Sequence, residues 1–168
     1  MSISLTVPIA ESVIQGLKVG DIVTISGQIY AGRDAVLPKI IKLAEQGLWE
    51  ERRIPLSGGV MFHSAVSIAG VGPTSSNKLE IESSIGPLSA LGIKIHLGKG
   101  AIREETVRAL ADWGAVYAVI PPVTAMLKHL TERWEVADFP EEGMEALHRL
   151  WVRDYPAIIA AAWGKSIY

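Results

Sequence analysis

DIVTISGQIYAGRDAVLPKIIKLAEQG, residues 21–47, contains both halves of one structural unit. Residues 21–30 have the β-branched content of a strand, and 33–47 follow with apolar residues at helical spacing and a glycine stop at Gly47. Pro38 lacks an N–H, so it must sit in the first turns of that helix or bend it. A strand that feeds a helix through a short polar turn is the repeating step of an α/β fold, and the same alternation continues outward. GGVMFHSAVSI (58–68) reads as a second strand entered from a glycine pair. A helix is expected from about Ser76 to Ser84 or beyond, then a turn at GPLSALG (86–92) and a buried strand at 93–98. IREETVRALADWG (102–114) is the clearest helix: Ile102, Val107, Leu110 and Trp113 share a face, acidic residues occupy the first turn and a glycine follows. AVYAVIPP (115–122) is a strand closed by prolines. Helices are expected near TAMLKHLTERW (124–134) and EEGMEALHRLW (141–151), around a short extended EVADF (135–139), before an apolar tail at 152–168. With no repeat and no low-complexity linker, residues 1–168 read as one α/β domain, a mixed sheet covered by helices.

Composition narrows the partners. The 168 residues are 49% hydrophobic, enough for one domain with a real core. No run approaches the roughly 20 apolar residues of a membrane span. MSISLTVPIAES lacks the basic start and long apolar middle of a signal peptide, so a cytoplasmic chain is expected. A net charge of -2 with no block of like charge offers no footprint for nucleic acid or an anionic membrane. There is no cysteine, so disulfides, thiol nucleophiles and thiolate-held metals are excluded for this chain alone. The four histidines, His63, His96, His129 and His148, show no metal-ligand spacing, and no metal site is expected.

Polar chemistry gathers in three loops, each after an expected strand. In GQIYAGRDA (27–35) Arg33 and Asp34 open a helix. In GVGPTSSNK (70–78) Pro73 fixes the turn, and Thr74, Ser75 and Ser76 serve equally as helix caps or as hydroxyls offered to a ligand. In HLGKGAIREE (96–105) Lys99 lies between two glycines. Strand ends facing helix starts are where α/β sheets bind ligands and where the helix dipole favours an anion. Arg33, Lys78 and Lys99 would supply the cations for a small di-anion, a dicarboxylate or a phosphate, with arginine suited to a planar carboxylate. Simpler readings stand beside these: Arg33 and Asp34 form a local ion pair, His63 is a satisfied core histidine, and Trp113, Trp134, Trp151 and Trp163 are core or interface residues. LGKG is not a phosphate loop, because Gly100 stands where that loop needs Ser or Thr.

Read in order, GRD (32–34), MFH (61–63), GPTSS (72–76) and LGKG (97–100) resemble the β-type subunit, or C-terminal domain, of the iron–sulfur hydro-lyases of the class I fumarase and L-tartrate dehydratase group. The resemblance covers nearly the whole chain, including KVGDIVTISGQIYAGRDA (18–35). It implies a swivelling β/β/α domain that closes over a cysteine-bearing α-type partner, which holds a 4Fe-4S cluster through three cysteines and leaves one iron open as a Lewis acid. It implies that Thr74 moves the proton at carbon, and that Arg33 and Lys99 face substrate carboxylates with Ser75 beside them. Lys78 stands where the group has arginine, His63 matches a histidine of an IFHAGP-like segment, and Asp34 supports Arg33. The segment after His63 departs from the group, reading SAV in place of AGP.

The function expected is therefore the small subunit of a two-subunit hydro-lyase, inactive alone, which hydrates fumarate to malate. L-tartrate or another hydroxy-diacid is the alternative substrate. From a different class, a non-catalytic anion-binding module would keep the same loops without turnover.

Overall fold

The computed structural model describes the backbone of residues 2–67, 70–72, 78–121 and 123–168, and the side chains of 2–66, 82–121 and 123–168. In chain order the elements are β1 (Ile3–Thr6), α1 (Glu11–Gln15), β2 (Ile22–Ala31), α2 (Leu37–Glu45), β3 (Gly59–Phe62), β4 (Ala65–Ser67), β5 (Gly70–Gly72) and α3 (Lys78–Ala90). There follow β6 (Ile93–Gly98), α4 (Glu104–Asp112), β7 (Val116–Val119), α5 (Thr124–His129), β8 (Thr131–Asp138), β9 (Leu147–Ala162) and β10 (Lys165–Ser166). The class is the expected one, a mixed sheet with helices over it.

The sheet closes on itself. β2, β3, β6 and β7 are parallel neighbours, and β9 runs antiparallel to both β7 and β2. β9 manages this because its sixteen residues change partners along their length: its first part pairs β2 and β8, and its last part pairs β7 and β10. A bulge between Ile25 and Gly27 relieves the mismatch. Gly27 takes φ +118 there, and a Cβ would lie 3.1 Å from the Val7 carbonyl oxygen. Opposite it, the Asp154 amide donates to Ser26 Oγ at 2.9 Å.

Alternation along the strands separates two cores. Val23, Ile25, Val60, Phe62, Ile95, Leu97, Val116 and Ala118 point inward with Tyr155 and Ile159 from β9. Each buried aliphatic side chain there stabilises the fold by about 1.5–3 kcal/mol. On the outer face, Met61 and Tyr30 pack under Leu37 and Ile40 of α2 and Leu88 of α3, while Tyr117 packs with Ile85, Val107 and Leu110. Helices α2, α3 and α4 thus cover the outside of the parallel strands.

Several expected boundaries shift. Pro38 falls in the first turn of α2, as its missing N–H requires. The strand expected over 58–68 ends at Phe62, and β4 and β5 form a separate antiparallel pair. The turn expected at 86–92 is instead the end of α3, which runs through Gly86 and Pro87. A Cβ on Gly86 would sit 3.3 Å from Ala109 Cβ, so the glycine lets α3 approach α4. The helix expected over 124–134 stops at His129, because Thr131 onward pairs with β9. The helix expected over 141–151 is a short 3-10 turn (Pro140–Glu145) followed by β9. Helical spacing in ALHRLW is overridden by strand partners on both sides. On α4, Val107 and Leu110 are buried as expected, but Trp113 lies half exposed.

Candidate active site at the strand ends

Pairing places two of the three polar loops at the same end of the sheet, on either side of β3. Ala31 pairs with Phe62, and Phe62 with Leu97. One residue further, the Gly32 amide donates to the Phe62 carbonyl and the His63 amide to the Leu97 carbonyl, each at 3.0 Å. Gly98 closes this row, its carbonyl accepting from the Ile120 amide at 3.0 Å. Arg33, His63 and Lys99 therefore leave the same end of three adjacent parallel strands, the end at which α/β sheets bind ligands.

Each position has a local cause. Arg33 is 13% exposed, and its Nε lies 3.7 Å from Glu145 Oε1; its own carbonyl accepts the amides of Val36 and Leu37 and so starts α2. The described ion pair of Arg33 is with Glu145, from the 3-10 turn before β9. Asp34 lies partly exposed in the turn that follows. Lys99 is exposed, on a loop fixed at both ends. Tyr117 donates its hydroxyl to the Gly100 carbonyl at 3.0 Å, and its ring crosses Gly98 so closely that a Cβ there would sit 3.0 Å from Oη. Burial, with smaller contributions from Tyr168 and Glu82, pushes the Tyr117 phenol well up, so it stays protonated as the donor. Downstream, the buried Glu82 carboxylate accepts the Arg103 amide at 2.7 Å and Thr106 Oγ1 at 2.8 Å, capping α4 from α3.

His63 is 5% exposed and its Nε2 lies 2.9 Å from Nδ1 of His96. Nε2 of His96 lies 2.9 Å from Ser89 Oγ, which is 2.7 Å from the Ile85 carbonyl. Burial lowers the His63 imidazole to about 4, and it lowers His96 well below 6.5 with a further push from His63. Both rings are neutral at pH 7. The core reading of His63 holds for its burial, but its Nδ1 has no hydrogen-bond partner among the described residues.

Thr74 and Ser75 lie outside the described residues, and so does the side chain of Lys78, whose backbone opens α3. His96, Ser89, Glu82 and Glu145 escaped the sequence reading. A histidine inside IKIHLG and a serine inside a helix carry no motif, and only strand register and the packing of α3 join them. Trp113, Trp134 and Trp163 are exposed rather than core, the last donating its indole N–H to the Leu17 carbonyl.

Fold and site together define a closed-sheet α/β domain with a cation-bearing strand end. Over residues 1–168 the chain matches the model of the Fumarase C-terminus family, and it belongs to that family. It is 31% identical, over 99% of its length, to a provisionally named class I fumarate hydratase of Geobacillus stearothermophilus, of which it spans 33%. It is 30% identical, over 92% of its length, to a protein of Methanocaldococcus jannaschii named, also provisionally, as an L(+)-tartrate dehydratase subunit beta, of which it spans 85%. The L(+)-tartrate dehydratase subunit beta of Escherichia coli is 28% identical over 88% of the chain, which spans 75% of that protein. No helix among the described residues is long and apolar enough to cross a membrane.

Proposed function

We propose that this chain is the β-type subunit of a two-chain hydro-lyase acting on a four-carbon diacid, with fumarate and malate as its substrate pair. The observation that carries the reading is the strand-end row Gly32–His63–Gly98, which sets Arg33 and Lys99 on the two loops that flank His63 at one end of the sheet in a chain whose whole length matches the family. Arg33 would grip one carboxylate through two parallel N–H bonds, with Glu145 holding its guanidinium in place between turnovers. Lys99 would meet the second carboxylate as a point charge, with Ser75 and Lys78 completing the grip. Thr74 would move the proton at carbon. The domain would close over the substrate and exclude water, which strengthens these contacts.

A thiolate-held 4Fe-4S cluster does not fit this chain. It has no cysteine, and no group of three or more His, Asp or Glu that could hold a metal ion occurs among the described residues. In the proposal the cluster belongs to a cysteine-bearing α-type partner, and the isolated chain turns nothing over. L-tartrate dehydration is the second reading, favoured by relatives named as tartrate dehydratase beta subunits that this chain spans for 75–85% of their length.

Anaerobic co-expression with the α-type chain, assayed for fumarate hydration and tartrate dehydration with and without this subunit, tests both readings. Turnover that requires both chains supports the hydro-lyase and selects its substrate. An intact complex that is inert to both diacids overturns it and leaves a non-catalytic anion-binding module.

A further inference from the structure

The polar line from Ser89 to His63 has a direction, and the direction follows from counting protons. The Ser89 hydroxyl has one proton, and at 2.7 Å from the Ile85 carbonyl it donates there. Ser89 Oγ must then accept from His96 Nε2–H at 2.9 Å. A neutral imidazole carries one N–H, so His96 Nδ1 is an acceptor and takes Nε2–H of His63 at 2.9 Å. His63 is left with a bare lone pair on Nδ1. The reversed line would press the Ser89 and Ile85 oxygens together with no proton between them. It would also strand a buried N–H on His63, and orphaned donors are rarer in proteins than under-satisfied acceptors. Burial that keeps both rings uncharged supports the same assignment.

The line is not a proton wire. It ends on a backbone carbonyl that cannot pass a proton on, so its effect is to fix a tautomer. We infer that Ser89 and His96 are positioning residues that lock His63 as the Nε2–H tautomer, and that His63 Nδ1 is an acceptor for a hydroxyl donor at the strand-end site. His63 is the middle member of the row that carries Arg33 and Lys99, at the point where β3 ends and the chain leaves the sheet. The buried acceptor is incomplete among the described residues, and a site for hydroxy-acid chemistry contains hydroxyls from ligand and from protein that would complete it. The role of the acceptor in turnover rests on the hydro-lyase reading; the tautomer does not.

Two measurements separate the claims. The first is the histidine nitrogen NMR spectrum of the full chain at pH 7. The lock predicts that His63 and His96 both show Nε2 protonated and Nδ1 bare, and that Ser89→Ala disturbs the pattern at both rings. A protonated Nδ1 on His63 overturns the proposal whether or not the enzyme reading survives. The second is steady-state kinetics of the two-chain complex. His63→Leu should lower kcat about tenfold to a hundredfold with little change in KM, since a buried hydrogen bond is lost where the reacting groups are placed. His63→Asn, which restores an acceptor near the Nδ1 position, should recover much of that loss. A folded His63→Leu complex with unchanged kcat, or an Asn variant no better than Leu, overturns the acceptor role. The source of the donor appears in the nitrogen spectrum of the chain: a His63 Nδ1 resonance that moves with L-malate and not with succinate assigns it to the ligand hydroxyl. Equal response to both assigns it to a hydroxyl of the protein.

Discussion

Ser89, His96 and His63 lie almost wholly buried between α3 and the sheet and carry no charge, whereas on the β8–β9 ladder the partly exposed Glu135 sits between the exposed Arg133 and the part-buried Arg149. Both are lines of polar contacts, and their chemistry differs because of water. In the buried line desolvation holds the imidazoles neutral, so each atom must be satisfied in turn, and one unsatisfied nitrogen stands out. On the ladder the Arg149 bond, ahead of Arg133, lowers the Glu135 carboxyl, and water reaches these charges to screen them. Specific chemistry resides where water is excluded: the buried line shapes one acceptor, and the charged ladder guards an edge strand against further pairing.

Acid separates the two regions most strongly. The His63 imidazole falls from 6.5 to about 4 on folding, so between those values the unfolded chain binds the extra proton. Stability present above pH 6.5 is lost as pH falls toward 4, by about 3 kcal/mol from His63 alone. His96 and the buried His148 act with the same sign. Glu135 acts in a lower window, its contribution lost only as pH drops below the usual carboxylate range. Urea midpoints at pH 7, 5.5 and 4.5 should fall steeply, and a His63→Leu, His96→Leu pair should flatten the upper part of the curve. A flat wild-type profile above pH 5 would break the comparison.

Next in size is Glu82→Ala, which strips the Arg103 amide and Thr106 hydroxyl of their acceptor and should destabilise by about 2 kcal/mol. Gly98→Ala should follow at about 1–2 kcal/mol, because the new methyl meets the Tyr117 ring. Both are read from chemical denaturation, and the second also from a weakened Tyr117 bond to Gly100 by hydroxyl-proton exchange. Glu135→Gln on the ladder should shift the midpoint least, and less still in high salt. A larger effect there than at Glu82 would reverse the ranking of buried over exposed.

The parallel half of the sheet was legible because its strands are β-branched and punctuated by glycines that also mark the loops: the strands expected over 21–30, 93–98 and 115–122 form as Ile22–Ala31, Ile93–Gly98 and Val116–Val119. β9 was not, because LHRLWV satisfies helical spacing as well as a strand does, and only pairing with β2 and β8 decides between them. The strand-end positions of Arg33 and Lys99 were legible from the turns around them, whereas His63 was singled out only through the MFH motif. Glu145 was not legible, since it lies 112 positions along the chain from Arg33 and only the pairing of β9 with β2 brings it back. His96 and Ser89 look like ordinary core and helix residues until register brings them together. The buried tryptophan is Trp49, stacked on Phe139 at 6.5 Å, and its sequence context marks it no more than that of the exposed Trp113.

In the proposed function the strand-end loops, and not the charged ladder, handle the substrate. The most direct test is diacid turnover by the two-chain complex carrying Arg33→Ala, set against Arg133→Ala on β8. Arg33→Ala should lower kcat/KM by about a hundredfold or more, the scale of losing a charged contact to the reacting molecule, and Arg133→Ala should leave it unchanged. Equal activity of the two variants, each folded and assembled with its partner, would contradict the account.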